Sequence, residues 1–285
     1  MRYLFVLLLG FNLFTSCKKE IDNGQQPEKP SEPEATYIDV SYGNDPLQKM
    51  DVYLPAGRTD TTKVLILVHG GGWTIGDKSE FTGYIPAIKQ KLPGYALVNI
   101  NYRLNQGPAN PFPAQENDVK AAVSFVHSKR AEYKISEKFV LLGTSAGGHL
   151  ALLHAYKYNA PVKIKAAVSF FGPTDMVALY NAQSTAFQSA LQTLLGGTPT
   201  GNPSMYQQSS PIQFATNQSP PTILLHGGAD FVVPPAQSET LKNKLQSLGV
   251  VNQYVFYPTE GHGWFGATLD DSFNKIAAFL RANVQ

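Results

Sequence analysis

Phe139-Val140-Leu141-Leu142-Gly143-Thr144-Ser145-Ala146-Gly147-Gly148-His149 is the stretch on which the fold turns. Its first four residues form an apolar run without polar alternation, as a strand buried on both faces requires. From Ala146 onward, over residues 146–158, the pattern is helical. A strand that passes into a helix through Gly143-Thr144-Ser145-Ala146-Gly147 makes a sharp turn with the serine at its apex. The glycines two residues to either side let neighbouring backbones approach closely. The serine hydroxyl then stands at the sheet edge, on a helix N-terminus whose unpaired N–H groups face a developing negative charge.

The same alternation runs outward in both directions. Candidate strands cover 37–42, 50–54, 64–68, 96–102, 139–142, 166–170, 222–225 and 253–257. Candidate helices cover 81–91, 114–129, 146–158, 236–248 and 269–282, the second with helical spacing through Val119, Ala122, Val123 and Val126. Strands alternating with helices predict an α/β domain, a mostly parallel eight-stranded sheet with helices on both faces. No helix separates the first two strands, so an antiparallel pair is expected at that edge. Residues 175–214 break the rhythm and are rich in Gln, Ser and Thr. They are expected to form a small helical excursion near the carboxyl edge of the sheet, where open α/β sheets bind their ligands.

The chain has 285 residues, 43% of them hydrophobic and 15% charged, which suffices for one buried core and is too apolar for global disorder. The formal net charge is +2 with no block of like charge in the domain, which predicts neither nucleic acid nor an anionic membrane surface as a partner. At the front, Arg2 precedes an apolar run over residues 3–14, followed by Thr15-Ser16-Cys17. The run falls short of the roughly 20 residues a membrane span needs and has the length of a signal-peptide core. Cys17 is the sole cysteine. Phe14-Thr15-Ser16-Cys17 is similar to a lipobox in which phenylalanine replaces the more usual leucine. The expected organisation is a lipoprotein-type signal peptide over 1–16, lipidation at Cys17, a Lys/Glu/Gln/Pro-rich tether over 17–36 and a catalytic domain over 37–285. The expected location is that of an exported bacterial lipoprotein in the outer membrane, at the cell surface or in the periplasm. Contact with the membrane is then through the lipid anchor only.

His69-Gly70-Gly71-Gly72-Trp73 follows the strand at 64–68. Cleavage of an acyl bond passes through a tetrahedral oxyanion, and losing one fixed donor to it costs on the order of 3–4 kcal/mol. Backbone N–H groups serve where no side chain blocks them, so Gly71 and Gly72 are expected donors, joined by the Ala146 N–H. No Gly-Lys-Ser/Thr ending and no G-x-G-x-x-G with a downstream acid support a phosphate cradle instead. His69, placed before the glycines, reads as a structural residue that holds the loop.

A serine hydroxyl needs a base, and the base a carboxylate to orient it. Of six histidines, His262 sits in Thr259-Glu260-Gly261-His262-Gly263-Trp264, a loop between the last strand and the last helix, with glycines on both sides. It is the expected base. Asp230, just past the strand at 222–225, is the expected acid, because its strand should neighbour the one that delivers His262. Asp175 and Glu260 are weaker candidates for that place, Asp175 reading better as a helix cap.

The order Ser145, Asp230, His262 is that of the α/β hydrolases and unlike the two common protease orders. With the HGGGW-type loop it resembles the esterase/lipase branch of that superfamily, in particular the hormone-sensitive-lipase-like and the feruloyl and acetyl-xylan esterase-like groups. Asn101-Tyr102-Arg103-Leu104 and residues 143–149 are also similar to that group, and the resemblance runs from about residue 37 to the C-terminus. It implies hydrolysis of carboxylic esters through an acyl-enzyme with neither metal nor organic cofactor, on a small-molecule or glycan ester. Within the fold, the competing expectations are an arylformamidase and a lipase, the latter disfavoured by the polar excursion. A dipeptidyl-type peptidase is disfavoured because no propeller precedes the domain. From a different class, a non-catalytic binding protein would be free to lose one of these parts. Trp73 and Trp264, the two tryptophans, each flank a catalytic loop. They are candidates both for stacking on a sugar or aryl group and for simple packing in the pocket wall.

Overall fold

A computed structural model describes residues 32–285, so the expected signal peptide, Cys17 and most of the expected tether lie outside the described residues. The last part of that tether is already folded. The Arg58 guanidinium pairs with Glu32 at 3.5 Å and donates to the Pro33 carbonyl. The first strand then begins at Ala35, two residues earlier than expected.

The eight strands are β1 (Ala35–Ser41), β2 (Lys49–Leu54), β3 (Lys63–Val68), β4 (Tyr95–Ile100), β5 (Phe139–Thr144), β6 (Ala166–Phe170), β7 (Thr222–Gly227) and β8 (Asn252–Tyr257). They form one sheet in the order β1-β2-β4-β3-β5-β6-β7-β8. Pairing is antiparallel at β1–β2 and again at β2–β4, and parallel from there on. The antiparallel edge is therefore one pairing wider than expected, because β4 inserts between β2 and β3. This is the α/β-hydrolase fold.

Eleven helices complete the described residues: α1 (Ser79–Thr82), α2 (Ile85–Lys91), α3 (Ala114–Ser128), α4 (Arg130–Tyr133), α5 (Ala146–Lys157), α6 (Met176–Ala182), α7 (Thr185–Leu195), α8 (Pro203–Gln208), α9 (Pro211–Phe214), α10 (Ala236–Ser247) and α11 (Gly266–Asn283). Alternate residues of one strand serve opposite layers. Val64, Ile66 and Val68 of β3 belong to the same core as residues of α3, α5 and α10, whereas Leu65 and Leu67 belong with residues of α2 and α11. The helix expected over 81–91 is broken in two. Gly83 follows the short α1, and Pro86, which lacks an N–H, fits the first turn of a fresh helix. Residues 175–214 form the expected excursion, as α6 to α9. Helix α5 is buried at every position from Ala146 to Tyr156, which explains why its sequence shows no polar face.

Candidate active site

Ser145 joins β5 to α5 with φ 52° and ψ −121°, a backbone conformation that costs a non-glycine residue on the order of 1–3 kcal/mol. The surroundings hold it there. Its N–H donates to Phe170 O at 2.9 Å, and its carbonyl accepts from His149 N–H at 3.0 Å. Gly147 makes the turn possible, since a Cβ at that position would lie 2.1 Å from Val68 O.

The loop after β8 brings His262 Nε2 to 2.9 Å from Ser145 Oγ. On the other side of the ring, Nδ1 lies 2.7 Å from Asp230 Oδ2. Asp230 sits on the loop after β7. Its Oδ1 accepts from the N–H groups of Val232 and Val233, both at 2.8 Å. Burial alone would raise this carboxyl; hydrogen bonds from His226, His262 and the Val233 N–H outweigh that and hold it well below the usual carboxylate range. The structure thus brings together the three residues expected to act in concert. Asp175, the weaker acid candidate, instead caps α6, accepting from Ala178 N–H at 3.0 Å. Glu260 accepts from Thr268 Oγ1 at 2.9 Å.

His226 is a site residue that the sequence pattern alone does not single out. Its ring is fully buried at the end of β7. Nδ1 is 2.7 Å from Ser238 Oγ, and Nε2 is 2.9 Å from Val233 O and 3.3 Å from Asp230 Oδ2. The Nε2–H donates to Val233 O and also faces Asp230, so two imidazoles converge on the acid. The available signal was the spacing His226-Gly227-Gly228-Ala229-Asp230, which puts an imidazole and the acid on one turn.

The N–H groups of Gly71, Gly72 and Ala146, the three expected oxyanion donors, have no hydrogen-bond partner among the described residues. The 69–76 loop is tightly wound. Gly71 has φ +96°, and a Cβ there would lie 2.1 Å from Ile75 O. Tyr102 Oη donates toward Gly70 O at 2.9 Å and His69 O at 3.1 Å. His69 is fully buried and stacks on the Tyr102 ring, 4.2 Å between centroids. Its Nδ1 bonds Gly70 O at 2.9 Å. Lys78 ends the loop by pairing with Asp51 at 2.8 Å and Asp39 at 2.9 Å.

Ser145 and His262 open onto a cavity of about 680 Å³ whose wall is dominated by aromatic side chains. Trp73 and Trp264 both line it, but only 2% and 5% of their surfaces are exposed. The Trp73 indole N–H donates to His149 Nδ1 at 3.2 Å, tying the glycine loop to α5. The Trp264 N–H donates to Ser272 Oγ at 2.9 Å. Both indoles are therefore buried parts of the cavity wall, each fixed by its own N–H. The exposed apolar residues at the mouth are Ile75, Val232 and Phe265.

The sequence profile of the BD-FAE family matches residues 50–245, which includes the glycine loop, Ser145 and Asp230. The chain belongs to the BD-FAE family. Among curated relatives it is similar to the esterase LipC of Mycobacterium tuberculosis, 28% identical over 85% of this chain and 64% of LipC. It spans 50% and 52% of the lengths of two further mycobacterial relatives. Among solved structures it resembles a bifunctional GH43-CE protein of Bacteroides eggerthii, with TM-score 0.73 and 30% identity over 85% of this chain and 38% of that one. A truncated carbohydrate esterase from gut microbiota superposes with TM-score 0.73 and 27% identity, over 88% of this chain and 99% of that one.

Proposed function

We propose that this chain is a serine carboxylesterase that hydrolyses short-chain acyl or aryl esters through an acyl-enzyme. The observation that carries this reading is the hydrogen-bonded line from Ser145 Oγ through His262 to Asp230, with steps of 2.9 and 2.7 Å. In the first step the Ser145 oxygen bonds to the ester carbonyl carbon while its proton passes to His262 Nε2. The carbonyl oxygen takes the negative charge and meets the free N–H groups of Gly71, Gly72 and Ala146. Asp230 keeps Nδ1–H of His262 pointed at itself and stabilises the imidazolium. The proton then moves to the departing alcohol oxygen as the C–O bond breaks. Water repeats the sequence on the acyl-serine, releasing the acid and restoring Ser145. The geometry around residues 71, 72, 145, 146, 230 and 262 supports these roles, and no step calls for a cofactor.

Acetyl or feruloyl groups on polysaccharide are the substrates we favour. The names of the carbohydrate esterase and the GH43-CE protein, and the aromatic cavity, support that choice. The purified chain is expected to release p-nitrophenol from p-nitrophenyl acetate, and Ser145→Ala to lower kcat about 10⁴-fold or more. Survival of turnover in that variant, or strong preference for N-formylkynurenine over every ester, would sink the reading. Export and anchoring through a lipid on Cys17 are also proposed, on the N-terminal sequence. Cys17→Ser should move the protein out of the membrane fraction, and unchanged partitioning would rule the anchor out.

A further inference from the structure

One carboxylate lies on the cavity wall without a partner. Among the described residues, Glu80, on α1, is the only acidic side chain lining the cavity, and no lysine or arginine lines it. Glu80 makes no ion pair and no side-chain hydrogen bond among the described residues. Neighbouring carboxylates are satisfied. Asp77 accepts from Asn101 Nδ2 at 2.7 Å and from Ser79 N–H at 2.8 Å. Asp230 is held by two histidines and two backbone N–H groups.

Its position is close to the reacting atoms' backbone supports. A Cβ placed on Gly76 would meet His69 Nδ1 at 2.6 Å, Gly70 O at 2.8 Å and Glu80 Oε1 at 2.9 Å. The carboxylate oxygen therefore lies beside Gly76, on the same loop that carries Gly71 and Gly72. We propose that Glu80 is a specificity-determining residue, which turns away esters that carry a carboxylate and favours neutral, hydroxyl-bearing or cationic ones. This rests on the esterase reading above.

The physical reason is the mismatch between the charge and its wall. An anionic ester entering this cavity brings a second negative charge over an apolar, aromatic surface with no cation to offset it. Glu80 is exposed to solvent, so the repulsion is partly screened. Two charges several ångströms apart at an intermediate dielectric still change a rate constant about three- to tenfold. A hydroxyl or ammonium group in the same place instead gains a charge-assisted hydrogen bond.

Two matched pairs of esters test this, one for each side of the scissile bond. Methyl 4-acetoxybenzoate against 4-acetoxybenzoate varies charge on the leaving group. p-Nitrophenyl valerate against mono-p-nitrophenyl glutarate varies it on the acyl group. The wild-type chain is expected to show higher kcat/KM for the neutral member of at least one pair. Glu80→Gln, nearly the same shape, should shrink that preference about threefold or more, and Glu80→Lys further still. About 0.5 M salt should shrink it in the wild type and leave the Gln variant unmoved. Melting temperatures confirm that each variant is folded. Equal ratios in wild type and Glu80→Gln for both pairs would overturn the proposal while leaving the esterase reading intact. Failure of the wild-type chain to hydrolyse either neutral ester would overturn the esterase reading itself.

Discussion

Two histidines share the Asp230 carboxylate, and their surroundings give them different work. His262 is partly open to the cavity and faces Ser145, whereas His226 is sealed behind it with both ring nitrogens bonded. His226 never meets substrate in this geometry. It positions the acid, whose orientation in turn sets that of His262. Replacing His226 by Leu should lower kcat roughly tenfold with KM kept, the scale of a lost hydrogen bond to a charged group. Steady-state kinetics check this, and a change confined to KM would show that the contact does not support the chemistry. Ser145, Asp230 and His262 were legible in the chain because strand ends, glycine flanks and order restrict where they can be. His226 was not. A histidine that ends a buried strand looks the same in sequence whether it packs or positions, and only the fold of residues 230–233 back onto β7 separates the two. The tryptophans were ambiguous for a like reason: an indole beside a catalytic loop can line the cavity or pack away from it, and the sequence pattern is the same.

At the scale of elements, α5 carries the site's support and also a weakness. Burial holds both His149 and His154 down to about 4, and Lys120 adds to the effect at His154. In the unfolded chain each titrates near 6.5. Between about 4 and 6.5 the unfolded chain binds protons that the folded one does not, so stability is fully present above that window and falls as pH drops through it. His149 is hydrogen-bonded to Trp73 and Ser209, but among the described residues neither ring nitrogen of His154 has a partner. His154→Leu should therefore reduce the stability lost between pH 7 and pH 5 by about 1–2 kcal/mol. Denaturant unfolding at the two pH values measures it. An unchanged loss would mean that other groups carry the acid sensitivity. The existence of α5 was plain from sequence; its full burial was visible only as the lack of a polar stripe. The break between α1 and α2 was signalled by Gly83 and Pro86, but an apolar pattern on both sides concealed it.

On the scale of the whole molecule, the sheet gathers parts that are far apart in the chain. Loops after β3, β5, β7 and β8 all end at one edge, so Gly71, Ser145, Asp230 and His262 converge on a single cavity. The parallel strands were readable as apolar runs, and the position of β4 between β2 and β3 was not, because strand order is a property of packing between layers and leaves no local mark. On the proposed specificity, the aromatic wall and Glu80, the one acidic side chain lining the cavity among the described residues, set which esters fit. Ser145 Oγ is the atom proposed to be acylated in turnover, and stoichiometric labelling reads it out. The chain would be incubated with diethyl p-nitrophenyl phosphate and followed by intact-mass and peptide mass spectrometry. The expected result is release of one p-nitrophenol per active chain, one diethylphosphoryl group on the peptide containing Ser145, and no label on Ser145→Ala. Label on another residue, or an unlabelled wild-type chain that still hydrolyses p-nitrophenyl acetate in the presence of the reagent, would contradict it.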